Sequence, residues 1–183
     1  MRGTLVLVVG PSGAGKDSIM GGARAALADD PAIVFARRAI TRPAEAGGED
    51  HEPVDEAVFA TLPFLLHWRA HGLRYGIPAR YGDDLAAGRT VVANVSRTVL
   101  DEARIAYPPV LVASIEASTP VLAARLAARG RETADDIAQR LERAGAFTPA
   151  GADVERVLND GALADAVATF TALLRRTRSG GQV

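Results

Sequence analysis

Apolar residues fall along the chain in short blocks, and the blocks alternate between continuous runs and a helical period. Thr4 to Val9, "TLVLVV", is a continuous branched run, the pattern of a strand buried on both faces in a parallel sheet. Glycines follow, and then a helix is predicted from Lys16 to about Ala28. Ala32 to Ile40, "AIVFARRAI", reads as a second strand running into the polar stretch "TRPAEAGGEDHEP", a loop by its Gly-Gly and prolines. Val54 to Leu62 reads as a short helix. "FLLHWRAHGLRYGIPARYG" has no helical period and reads as strand and loop. Arg89 to Val95 and Val110 to Ile115 are buried strands, with "RTVLDEARIAY" as a helix between them. Thr119 can cap a helix that has Pro120 at its first position and Gly130 past its end. A second helix start at Thr133, with Asp136 three residues on, runs to about Gly145. "VERVL" then reads as a short strand, and Gly161 to Arg176 as an amphipathic helix presenting Leu163, Val167, Phe170 and Leu174. The tail "TRSGGQV" carries no element.

This alternation predicts an α/β fold, a mostly parallel sheet flanked by helices, with ligands at the carboxyl ends of the strands. At 183 residues, 48% hydrophobic and 23% charged, the chain fits a single globular domain over 1–183. Its formal net charge of -1 provides no global field for nucleic acid or a membrane, so any anion site must be built from local arginine clusters. The apolar run near the N-terminus is too short for a signal segment and no later run approaches a membrane span. The expectation is a cytoplasmic protein with a small-molecule partner and neither nucleic acid nor membrane. A homodimer is left open. The absence of cysteine excludes disulfides and thiolate metal sites.

The stretch "VVGPSGAGKDS" supplies candidate chemistry. Gly10 to Lys16 meets the pattern G-x-x-x-x-G-K between a strand and a helix, the context in which such a loop cradles phosphate. Gly10, Pro11, Ser12, Gly13, Ala14 and Gly15 offer backbone N–H groups, the helix N-terminus adds partial positive charge, and Lys16 can bridge terminal phosphates. Of 21 basic residues Lys16 is the one lysine, a compact ammonium where a planar guanidinium is too wide. Asp17 stands where a hydroxyl usually binds Mg²⁺, and Ser18 comes one residue late. Downstream, Arg125 and Arg129 are four apart on one predicted helix, with Arg131 and Arg140 on the next segment.

"GPSGAGK", "ITRPAEAGGEDH", "GLRYGI", "RLAARGRETADDIAQRLERA" and "VLNDG" come in the order and approximate spacing of the guanylate kinase superfamily. "GKDS", "AITR", "GGEDH", "WRAHGLRYG", "NVSR" and "RGRE" most resemble its ribose 1,5-bisphosphate phosphokinase branch. The resemblance runs from about Thr4 to Leu174. It implies a nucleotide kinase using ATP and Mg²⁺, with an acceptor region at about 37–85 and a lid at about 125–145. Arg125, Arg129 and Arg140 would close over the phosphoryl group in flight, and Asn159 would lie near the adenine side. Arg42 matches the family's first acceptor arginine, Glu45 stands where the second would be, and His51 and Tyr75 occupy its two tyrosine places.

The branch is decided by what reads the acceptor. Where the family recognises guanine with a glutamate and a hydroxyl, this chain has Leu66 and Ile77, and an acidic strand-end motif is replaced by Asn94, Ser96 and Arg97. Removing such polar partners costs of order 10⁴ to 10⁵ in discrimination. A cationic Arg97 suits a second phosphate instead. The expected reaction is therefore phosphorylation of ribose 1,5-bisphosphate to 5-phosphoribosyl 1-diphosphate in phosphonate catabolism. A guanylate kinase is the alternative enzyme, and a guanylate-kinase-like scaffold the non-enzyme. No general base is nominated, because a phosphate acceptor is already anionic. His51 is expected as a phosphate donor in preference to His67 or His71, and Trp68 as pocket wall. With the strand-end carboxylates gone, Asp17 is the candidate Mg²⁺ ligand, directly or through water.

Overall fold

The computed structural model describes residues 2–43, 50–128 and 148–178. A five-stranded sheet, parallel throughout, forms the centre in the order β2-β7-β1-β8-β9. Its strands are β1 (Leu5–Val9), β2 (Ile33–Phe35), β7 (Thr90–Asn94), β8 (Val110–Glu116) and β9 (Val154–Leu158). The continuous apolar run in β1 is explained by layers on both faces. Leu5, Leu7 and Val9 join one core, and Val6 and Val8 the other.

The second core is closed by α1 (Lys16–Ala26) and α6 (Leu163–Arg178), through Ile19, Ala23, Phe170 and Leu174. Phe170 and Leu174 are fully buried as their spacing predicts, while Leu163 is 45% exposed and lies outside the packed stripe. The other core is capped by a smaller sheet of order β4-β3-β6-β5, comprising β3 (Ala39–Ile40), β4 (Glu52–Pro53), β5 (Phe64–Ala70) and β6 (Leu73–Pro78). α2 (Glu56–Thr61), α3 (Tyr81–Ala86), α4 (Leu100–Ala106) and α5 (Thr119–Ala128) complete the described elements.

One expectation is corrected, and one is filled in. "AIVFARRAI" is not one strand: β2 pairs with β7 in the central sheet, and after Arg37 and Arg38 the chain enters the second sheet as β3. The second sheet contains antiparallel pairs, because "FLLHWRAHGLRYGIP" is a hairpin turning at His71 and Gly72, both at positive φ. Arg131 and the helix expected from Thr133 to Gly145 lie outside the described residues, as do Glu45, Gly130 and the tail from residue 179.

Candidate active site

β1 delivers the chain into the glycine loop at the carboxyl edge of the central sheet. Gly10 adopts φ 152°, and a Cβ there would collide with the Ile115 carbonyl of neighbouring β8. Gly15 caps α1 in the left-handed region, at φ 92° and ψ 21°. Four of the loop carbonyls, those of Gly10, Pro11, Gly13 and Ala14, are matched to side-chain donors. Lys16 Nζ donates to the carbonyls of Gly10 at 2.7 Å and Pro11 at 3.1 Å. Arg125 on α5 donates to those of Gly13 at 3.4 Å and Asn159 at 2.9 Å. Asn159, just past β9, donates its amide to the Ala14 carbonyl at 2.8 Å. With these carbonyls held, loop N–H groups other than that of Ala14, which donates to the Pro11 carbonyl at 3.3 Å, are left to face an anion.

Asn159 is 3% exposed and lies beneath the loop, packed against Gly15. Arg125 rests on backbone carbonyls, so it braces the loop in this geometry. Arg129 and Arg140 lie outside the described residues.

A cavity of about 270 Å³ lies beside the loop, lined by Asp17, Met20, Arg24, Arg38, Asp50 and Asn94 among others. Asn94, at the end of β7, is nearly buried and donates to Asp17 Oδ1 at 3.3 Å. Asp50 is held by Arg37 at 2.8 Å and approached by Arg24 at 3.7 Å, which offsets its charge. The Arg38 guanidinium lies 5.4 Å from the Tyr75 ring and 5.9 Å from that of Trp68, over two rings stacked at 5.5 Å. Arg24, Arg38 and Asp50 are absent from the residues singled out by sequence. The one visible signal was the adjacent Arg37–Arg38 pair interrupting an apolar run.

The expected acceptor residues divide into three groups. Arg42 has its Nε and Nη2 buried without a hydrogen-bond partner among the described residues, so its donors are desolvated and unspent. His51 is 6% exposed, and its Nε2 donates to the Arg42 carbonyl at 3.1 Å while Arg37 Nη2 holds its own carbonyl at 2.9 Å. The ring thus fixes the backbone that carries Arg42. Tyr75 is 9% exposed with its ring in the core, beside Trp68. Ser96 spends its hydroxyl oxygen on the Thr98 N–H at 3.3 Å, capping a one-turn helix at Arg97–Val99. Arg97 begins that turn and is half-buried.

Leu66 and Ile77 face each other across β5 and β6, 1% and 0% exposed. No group there can read a base edge. The hydrogen bond from Arg80 to Glu52 holds the guanidinium pKa above its ordinary value, with desolvation pulling the other way.

Among the described residues no three His, Asp or Glu side chains gather as a metal site. Mg²⁺ needs no such cage beside a nucleotide, since one or two carboxylates and the phosphate oxygens suffice. Exposed Asp17, at the start of α1, fits that donor set.

No protein-family model matches the chain. It is 49% identical over 173 residues to ribose 1,5-bisphosphate phosphokinase PhnN of Brucella melitensis, covering 92% of this chain and 90% of that one. It is 56% identical over 151 residues to the protein of the same name from Rhodopseudomonas palustris, covering 80% and 77%. A crystal structure of guanylate kinase from Anaplasma phagocytophilum superposes with a TM-score of 0.66 at 18% identity, covering 97% of this chain and 87% of that one. That last similarity shows a shared fold. The described part includes no helix long and apolar enough to cross a membrane.

Proposed function

Because the chain belongs to the ribose 1,5-bisphosphate phosphokinase family, we propose that it is an ATP-dependent kinase whose acceptor is itself a phosphate. An oxygen of the 1-phosphate of ribose 1,5-bisphosphate attacks the γ-phosphorus of ATP. The bond from that phosphorus to the β–γ bridging oxygen breaks, giving ADP and 5-phosphoribosyl 1-diphosphate. The attacking oxygen is already anionic, so no base is required and catalysis is positioning with charge neutralisation. The setting is phosphonate breakdown in the cytoplasm.

Lys16 and the loop from Gly10 to Ser18 hold the nucleotide phosphates, with Asn159 on the same side. Arg125, Arg129 and Arg140 neutralise the phosphoryl group in transfer, which requires Arg125 to leave the carbonyls of Gly13 and Asn159 that it now grips. Arg42 and Arg97 supply charge to the acceptor, with His51, Tyr75, Asn94 and Ser96 as neutral groups around it. Mg²⁺, held by Asp17 directly or through water, would neutralise the oxygens between which the group moves.

The observation that carries this reading is the acceptor side. Arg42 has buried donors without a partner among the described residues, while the positions where guanine would be read are filled by dry Leu66 and Ile77. The test is purified protein with ATP and Mg²⁺ against ribose 1,5-bisphosphate and GMP in parallel. Turnover of the bisphosphate is expected. Turnover of GMP alone would make it a guanylate kinase, and turnover of neither would favour a scaffold.

A further inference from the structure

A phosphate cradle works only while its N–H groups face the anion. In a trans peptide the C=O points opposite to the N–H, so each inward N–H requires an outward carbonyl with a donor of its own. The Ala14–Gly15 peptide is free to turn over, because Gly15 has no Cβ to oppose either sign of φ. Its carbonyl is held by the Asn159 amide at 2.8 Å. Asn159 is itself fixed, with its N–H on the Glu116 carbonyl at 2.8 Å and its own carbonyl under Arg125 at 2.9 Å. Turning the amide over would set Oδ1 against the Ala14 carbonyl oxygen, so the donor orientation is imposed by the contact. A Cβ on Gly15 would strike Asn159 Nδ2, so nothing can slip between them.

We propose that Asn159 is a positioning residue that guards this peptide against flipping. It acts through the loop and not on the adenine. Losing the amide would let the Ala14 carbonyl turn toward the phosphates and carry the Gly15 N–H away from them. The inference rests on the kinase reading of the loop, and its experiment separates the two.

Asn159→Asp keeps the size and Asn159→Leu the shape branched at Cγ, and both remove the donor. ATP and inorganic tripolyphosphate are titrated calorimetrically into the wild type and each variant, and thermal unfolding checks that each is folded. Both variants should lose roughly ten- to hundredfold in affinity, by the same factor for the two ligands, because tripolyphosphate has no base to lose. KM for ATP should rise in step, with KM for the acceptor unchanged. Where either replacement fails to fold, Asn159→Ala gives the same readout. Loss of ATP affinity with tripolyphosphate unaffected would overturn the proposal in favour of a base contact. Undiminished affinity for both would reduce Asn159 to packing. A wild type that binds neither ligand would sink the kinase reading itself.

Discussion

The nucleotide side and the acceptor side are built in opposite ways. The phosphate loop is one uninterrupted stretch, Gly10 to Ser18, pinned from behind by Arg125 and Asn159. The cavity beside it, on the side the proposed function gives to the acceptor, is pieced together from α1, the link between β2 and β3, Asp50 and the end of β7. The loop's work is done by backbone groups and one ammonium, so any chain that makes this turn can hold phosphate. The cavity's work is done by side chains drawn from distant segments.

Five substitutions at four positions test that division, from the largest effect to the smallest. Lys16→Ala should lower kcat by roughly 10² to 10³ with either acceptor, since it strips charge from the phosphates themselves. Lys16→Arg should not restore it, because a planar fork cannot replace a point charge between phosphates. Steady-state rates at saturating ATP decide this, and a mild effect would show that the loop's amides suffice. Arg42→Ala should raise acceptor KM by about ten- to hundredfold, the worth of charged hydrogen bonds, while leaving KM for ATP alone. A rise in both would mean the two sides are not separable. Arg38→Ala should raise acceptor KM by about three- to thirtyfold, through loss of a cation seated on the Trp68–Tyr75 stack. Asp17→Asn should shift only the Mg²⁺ concentration for half-maximal rate, by about threefold, as expected when phosphate oxygens supply most ligands. An unchanged Mg²⁺ titration would leave Asp17 as a charge at the start of α1.

The same contrast explains what the sequence made legible. β1, the loop and α1 are contiguous, and their hydrophobic run, glycines and lysine state the geometry locally. The strands of the central sheet are legible because burial on both faces leaves continuous apolar runs. The break of "AIVFARRAI" into two sheets is not, since a change of sheet leaves the apolar spacing intact and only the Arg37–Arg38 pair marks it. The hairpin of β5 and β6 is legible only as strand and loop: Leu66 to Arg69 alternates between buried and exposed, but Tyr75, Gly76, Ile77 and Pro78 are all buried, and that run carries no period of two. Asn159 was legible only as a motif letter. Its partner, Ala14, lies 145 residues away, and only the fold brings the two together.

The central claim is that the acceptor atom is a phosphate oxygen on a sugar carrying two phosphates. It is tested most directly by ³¹P NMR of the sugar product, separated from ADP and ATP, that forms from ATP, Mg²⁺ and ribose 1,5-bisphosphate. The account predicts a coupled pair of diphosphate resonances beside an unchanged 5-phosphate singlet. A third monophosphate singlet, from transfer to a sugar hydroxyl, would contradict it.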